Sequence, residues 1–271
     1  MIRKSVCLIV FFCLSLFSFI SCATVPLTGR SQLLIVPDST MLSMSFQQYD
    51  QFLKSSKLSG QTEKVQMVKR VGANIQRGVE SYFNSKGMSH YLNDYRWEFN
   101  LVESEEVNAW CMPGGKVVVY TGILPVAQNE EGLAVVMGHE IAHAIAKHGG
   151  ERMSQGLMVQ MGGLALSQAM KEKPQATQTL WMSVYGVGSQ VGLMLPYSRL
   201  HETEADHMGL IFMALAGYDP HVAVGFWERM SRIGEGKKPP QFLSTHPADT
   251  TRIRDIKKLL PEAMTYYKGK K

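Results

Sequence analysis

Cysteine is scarce in this 271-residue chain, and its four copies are poorly placed for cross-linking. Cys7, Cys13 and Cys22 belong to the amino-terminal leader, which leaves Cys111 as the lone thiol of the body. An intramolecular disulfide is thereby excluded, and a structural zinc knot of the Cys-rich, four-ligand kind is disfavoured. Charge of one sign is scarce as well: 28 Lys and Arg against 23 Asp and Glu give +5, with Arg3 and Lys4 of the leader included. A balance that small gives no reason to expect a nucleic-acid partner. Long apolar runs are missing too; residues 6–20 form an apolar stretch too short for a comfortable membrane span. No phosphate loop, dinucleotide fingerprint or serine-nucleophile motif occurs. The 45% hydrophobic content is ordinary for a globular core, and the length suits a single catalytic domain.

The leader has a basic start, Met1-Ile2-Arg3-Lys4, then the apolar run, then Phe19-Ile20-Ser21-Cys22. This order reads as an export signal over residues 1–21. Its end resembles a bacterial lipobox, in which Cys22 is acylated and becomes the mature first residue. An uncut membrane anchor and cleavage near Ala23 are the alternatives. Residues 22–30, with Pro26 and Gly29, read as a lipidated tether; residues 31–265 form the domain and residues 266–271 a basic tail.

The chemistry is concentrated in residues 133–148, which contain His139-Glu140-Ile141-Ala142-His143. At helical pitch the two histidines leave the same face one turn apart and can close on one metal. Glu140 leaves about 100° away, off the metal but within reach of a water bound there. Leu133, Val136, Met137, Ile141 and Ile145 make the helix apolar nearly all round, so it is buried. Catalytic zinc commonly takes two His and one Glu and keeps one position open. Downstream, His201-Glu202-Thr203-Glu204-Ala205-Asp206 offers Glu202 as that carboxylate, with Glu204 as its rival. Asp206 shares the helical face of Glu202 and can accept the outward N–H of a ligand histidine, fixing its tautomer.

With these motifs in order, and with a later Ser244-Thr245-His246-Pro247, the chain resembles the zinc metallopeptidase family of HtpX, the Ste-type CAAX proteases and the Oma-type peptidases. The likeness is greatest to bacterial periplasmic and lipoprotein members of the BepA and LoiP type. The resemblance implies an α+β, mainly helical, gluzincin-type domain, with one Zn2+ held by His139, His143 and Glu202 and Glu140 as catalytic base. The family spacing of Glu and Asp selects Glu202 over Glu204. His246 matches a family position facing the zinc, either as a catalytic stabiliser of the tetrahedral intermediate or as a regulatory fourth ligand. Asn108, Ala109, Trp110, Gly114 and Gly115 match a family element that supplies an edge strand over the cleft, able to pair with an extended substrate. An ordinary hairpin is the alternative there.

The function so implied is zinc-dependent cleavage of misfolded or unassembled cell-envelope proteins. The rival is a lipoprotein chaperone or scaffold for outer-membrane assembly with a latent zinc site. The expected address is the periplasmic face of the bacterial outer membrane, reached through lipid on Cys22, with the outer-membrane assembly machinery as a candidate partner. Elsewhere, periodicity predicts helices near residues 39–53 and 65–79 and a strand over 96–102. The Met- and Gly-rich residues 153–195 read as a helical hairpin that is a mobile lid, plain core, or a membrane-surface contact.

Overall fold

The computed structural model describes residues 22–234 and 240–269. The export signal expected over residues 1–21 therefore lies outside the described residues. The architecture is the expected mainly helical α+β arrangement with small sheets.

Residues 22–30 are folded against the domain rather than free. Strand β1 (Cys22–Thr24) pairs antiparallel with β2 (Ser31–Leu33), Cys22 facing Leu33. Leu27 and Gly29 take left-handed backbone at φ 76° and 71° to close the hairpin. Val25, 1% exposed, drops into the main core, and this burial is what a flexible tether would lack.

Helices α1 (Asp38–Ser55) and α2 (Thr62–Ser85) follow. α2 buries Val68, Val71, Gly72, Ile75 and Val79, a stripe at helical spacing that packs on the central helices. Strands β3 (Glu98–Val102), β4 (Ala109–Met112) and β5 (Lys116–Tyr120) form a sheet in the order β3-β5-β4. β3 runs parallel to β5 and β4 antiparallel to it, with Ala109 opposite Val119, so β4 is an edge. Gly114 and Gly115 make the turn at φ 82° and 81°, and side chains there would strike the Phe46 and Trp97 rings.

At the centre lies α3 (Glu130–Ile145), started by the Asn129 side chain, which accepts from Gly132 N at 2.9 Å, and by two acids in the first turn. Every residue from Gly132 to Ile145 is buried. α3 stops earlier than residues 133–148 read as one helix would suggest. Lys147 adopts φ 55°, and α4 (His148–Met170) departs in a new direction. α4 and α5 (Gln175–Ser189) form the expected helical hairpin, pinned by the Tyr185 hydroxyl on Val159 O at 2.8 Å. Its outer part is no plain core, since Met161, Leu164, Leu180 and Val187 are 61–67% exposed. No helix among the described residues is long and apolar enough to cross a membrane.

A π-helical turn, Gln190–Met194, leads into α6 (Leu195–Leu215), with Pro196 in the first turn. α6 lies along α3 as its principal partner. Gly138 and Gly209 allow backbone to touch backbone there: a Cβ on Gly138 would stand 2.9 Å from Gly209 O. α7 (Val222–Gly234), α8 (Gln241–Thr245) and α9 (Thr250–Met264) complete the chain, and Tyr266 of the expected basic tail still packs on the core.

Candidate metal centre

One turn of α3 separates His139 and His143, and their Nε2 atoms lie 3.0 Å apart. α6 supplies Glu202, with Oε2 at 3.3 Å from His139 Nε2 and Oε1 at 3.2 Å from His143 Nε2. His246, at the end of α8, places Nδ1 3.2 Å from His139 Nε2 and 2.8 Å from Glu202 Oε2. These four buried residues each offer a ligand atom within 4.8 Å of the others. A tetrahedral zinc with bonds of about 2.0–2.1 Å has ligand atoms about 3.3–3.4 Å apart. The separations of 3.2–3.3 Å match that figure, those of 3.0 and 2.8 Å fall short of it by up to about half an ångström, and the two-nitrogen-plus-carboxylate chemistry suits zinc. The donor set therefore fits the ion.

Glu140 projects from α3 beside this cluster. It is buried, its Oε1 makes no hydrogen bond, and the nearest His246 nitrogen is 3.4 Å away. Burial raises its carboxyl above the usual range. Glu202 behaves oppositely. Burial works to raise it, but hydrogen bonds from His139, His143 and His246 outweigh burial and hold it well below the usual range. For His139, burial disfavours the charged ring, yet bonds to Asp206 and Glu202 push its pKa up to about 9 in the metal-free site.

Behind the cluster, Asp206 Oδ1 lies 3.0 Å from His139 Nδ1. Asp206 is itself gripped by Arg252 of α9 through two bonds of 2.7 and 2.8 Å. The same guanidinium comes within 3.2 Å of Glu202 and sits 3.4 Å over the Trp227 ring. Arg252 lies in the first turn of α9 and belongs to no motif that marks it in the sequence. The one available signal was that Asp206 and Glu202, both headed for burial, leave negative charge in need of a partner.

His143 has its own support, which the motif also did not announce. Its Nδ1 lies 2.8 Å from His148 Nδ1, and His148 Nε2 is 2.9 Å from Glu204 Oε2. Glu204, the rival ligand, is thus turned away from the donor cluster. His201 is fully buried and bonds Glu151 at 2.9 Å, and its ring stacks on His148 at 4.2 Å. The left-handed Lys147 is what turns His148 back towards His143; a continuous helix would carry it to another face.

The element from Asn108 to Gly115 forms the edge of its sheet, and β4 packs against α3. Asn108 accepts from Tyr120 N at 3.1 Å, Ala109 is buried, and Trp110 meets the Phe52 ring edge-on at 4.9 Å. Gly114 and Gly115 are accounted for by the turn. Cys22 opens β1, a short hairpin away from Arg30.

Compared with known proteins, residues 69–260 match the profile of peptidase family M48. The chain is 39% identical to the mitochondrial metalloendopeptidase OMA1 of Schizosaccharomyces pombe over 173 residues, covering 64% of this chain and 49% of that protein. It is 30% identical to the mitochondrial metalloendopeptidase OMA1 of Bos taurus over 254 residues, 88% of this chain and 46% of the relative. The beta-barrel assembly-enhancing protease of Escherichia coli is 29% identical over 203 residues, 66% and 38% of the two chains. The chain thus spans about half the length, or less, of these curated relatives. Their names correct one expectation. Three relatives at 34–39% identity are named as mitochondrial enzymes, and this likeness overturns the periplasmic, outer-membrane address read from the leader. With the match covering most of the chain and the four donors gathered at zinc spacing, the chain belongs to peptidase family M48, the zinc-dependent metallopeptidases.

Proposed function

We propose that this chain is a zinc-dependent endopeptidase that cleaves unfolded or unassembled proteins. The observation that carries the reading is the buried Glu140 carboxylate, whose Oε1 makes no hydrogen bond, standing beside four donors gathered at metal-binding spacing. In this reading His139, His143 and Glu202 hold the metal. A zinc ion there supplies Lewis-acid polarisation of the scissile carbonyl and lowers the pKa of water towards neutrality. Glu140 takes the proton of the attacking water and returns it to the departing amine nitrogen. Its raised pKa brings it nearer the pH at which a base both accepts and releases a proton readily. Asp206 accepts from His139 Nδ1–H and aims the other ring nitrogen, from which a bound metal displaces the proton, at the cluster.

His246 occupies the fourth corner of the donor set, where the attacking water has to sit. That position favours the role of a latch that must swing aside before turnover. The edge of β4 then binds the substrate as an added strand, which accepts any extended backbone and demands little of its side chains. Several names among the relatives are those of endopeptidases, and this supports cleavage over a chaperone or scaffold with a latent site.

Substitution Glu140→Gln keeps the shape and removes the base. The variant is expected to retain one zinc per chain and lose casein digestion by at least about a hundredfold. Metal analysis and a digestion assay with and without chelator check this. Undiminished digestion by the Gln variant refutes the assignment of the base, and chelator-insensitive digestion refutes the metal mechanism.

A further inference from the structure

The amino-terminal hairpin reaches the metal site through a chain of polar contacts that neither the motif nor the proposed chemistry requires. Arg30, the residue immediately before β2, inserts between α4 and α6. Its Nε donates to Glu204 Oε2 at 2.9 Å, and its two terminal nitrogens donate to Glu151 at 3.0 and 2.7 Å. Thr28 adds a hydroxyl to Glu204 from the same hairpin. Both carboxylates are buried, so one planar guanidinium satisfies two acids that water does not reach.

Each acid then holds a histidine. Glu204 receives His148 Nε2 and Glu151 receives His201 Nε2, both at 2.9 Å, and the two rings stack. The direction of the bonds follows from what each end can do. A carboxylate only accepts, so His148 carries its proton on Nε2 and presents a lone pair on Nδ1. That lone pair accepts from His143 Nδ1–H at 2.8 Å, which leaves His143 Nε2 bare and facing Glu202 and His139. If Glu204 is not anchored, the order of donors is no longer imposed and His143 can turn the wrong nitrogen inward.

We propose that Arg30 is a positioning residue for the ligand His143, acting through Glu204 and His148, so that docking of the amino-terminal hairpin sets zinc affinity. This rests on the reading of His143 as a ligand. The plain alternative is that Arg30 merely fastens the hairpin to the domain. The two differ in whether metal affinity moves independently of folding.

The experiment compares the full chain with Arg30→Met, Arg30→Lys and Glu204→Gln. Zinc affinity is measured by competition against a chromophoric chelator, the visible spectrum is recorded with cobalt(II), and metal-free melting is followed by circular dichroism. Arg30→Met is expected to weaken zinc by about 10- to 100-fold and shift the cobalt bands. Arg30→Lys keeps the charge but loses the fork, and falls between it and the parent. Wild-type affinity and cobalt spectrum in Arg30→Met overturn the proposal, whatever happens to melting. If Arg30→Met does not fold, the isosteric Glu204→Gln decides, and unchanged zinc affinity there overturns it equally. A parent chain that binds no zinc overturns the metal-site reading itself, a result distinct from equal binding by parent and variants.

Discussion

Substitution Gly209→Ala tests how α3 and α6 assemble the donor set. A Cβ at Gly209 would stand 2.9 Å from His139 N and 3.0 Å from His139 Cα and Gly138 C. All three are backbone atoms, so no rotamer change relieves the contact. Ordinary packing needs about 3.5–4 Å, and the helices must therefore part by roughly 0.5–1 Å. His139 rides on one helix and Glu202 on the other, with 3.3 Å between their facing atoms. Metal sites tolerate about 0.2 Å in each bond, so a gap of that size is several times too large. Overpacking of this kind costs about 1–3 kcal/mol. Where the strain is relieved by opening the cluster, zinc affinity falls by about 10- to 100-fold. Chelator competition on the purified chain reads the affinity, and melting with and without zinc reads the stability. The control is Gly156→Ala on α4, where the added Cβ meets nothing within 4 Å and helix propensity predicts no loss. Gly209→Ala with zinc affinity within about twofold of the parent refutes the claim that close helix contact builds the site.

Removing the latch has a signed outcome: His246→Ala is expected to keep zinc and digest casein faster, whereas retained zinc with lost turnover assigns His246 to catalysis instead. A pH titration of zinc binding checks the charge of the metal-free site. The His139 pKa, raised from 6.5 to about 9 in the fold, means that its stabilising contribution is complete below 6.5 and lost as pH rises through about 9. Zinc must displace that proton, so affinity is expected to climb up to about tenfold per pH unit until about pH 9. An affinity that does not change from pH 6.5 to 9 contradicts the protonated state.

The helical repeat places His139 and His143 on one face and Glu140 beside it, whatever the rest of the chain does, because that geometry is local to one turn. Residue type and the apolar surroundings of the motif likewise made a buried helix and a zinc-suited donor set legible before any coordinates. The strand-turn-strand over residues 109–120 was legible for the same reason, since its Pro-Gly turn and the two strands it joins are near neighbours in the chain. Contacts between distant segments were not. Arg252 and Arg30 find their carboxylates across separations of 46 and 121 residues, and only packing decides which buried acid each cation meets. The left-handed Lys147 hides inside an uninterrupted helical pattern, yet it determines that His148 faces His143. Local periodicity thus determined how His139, Glu140 and His143 stand on α3, while the closeness of α3 to α6 at Gly138 and Gly209, the fourth corner at His246 and the charge network behind the donor cluster were decided by tertiary packing, which alone sets distances between elements far apart in the chain.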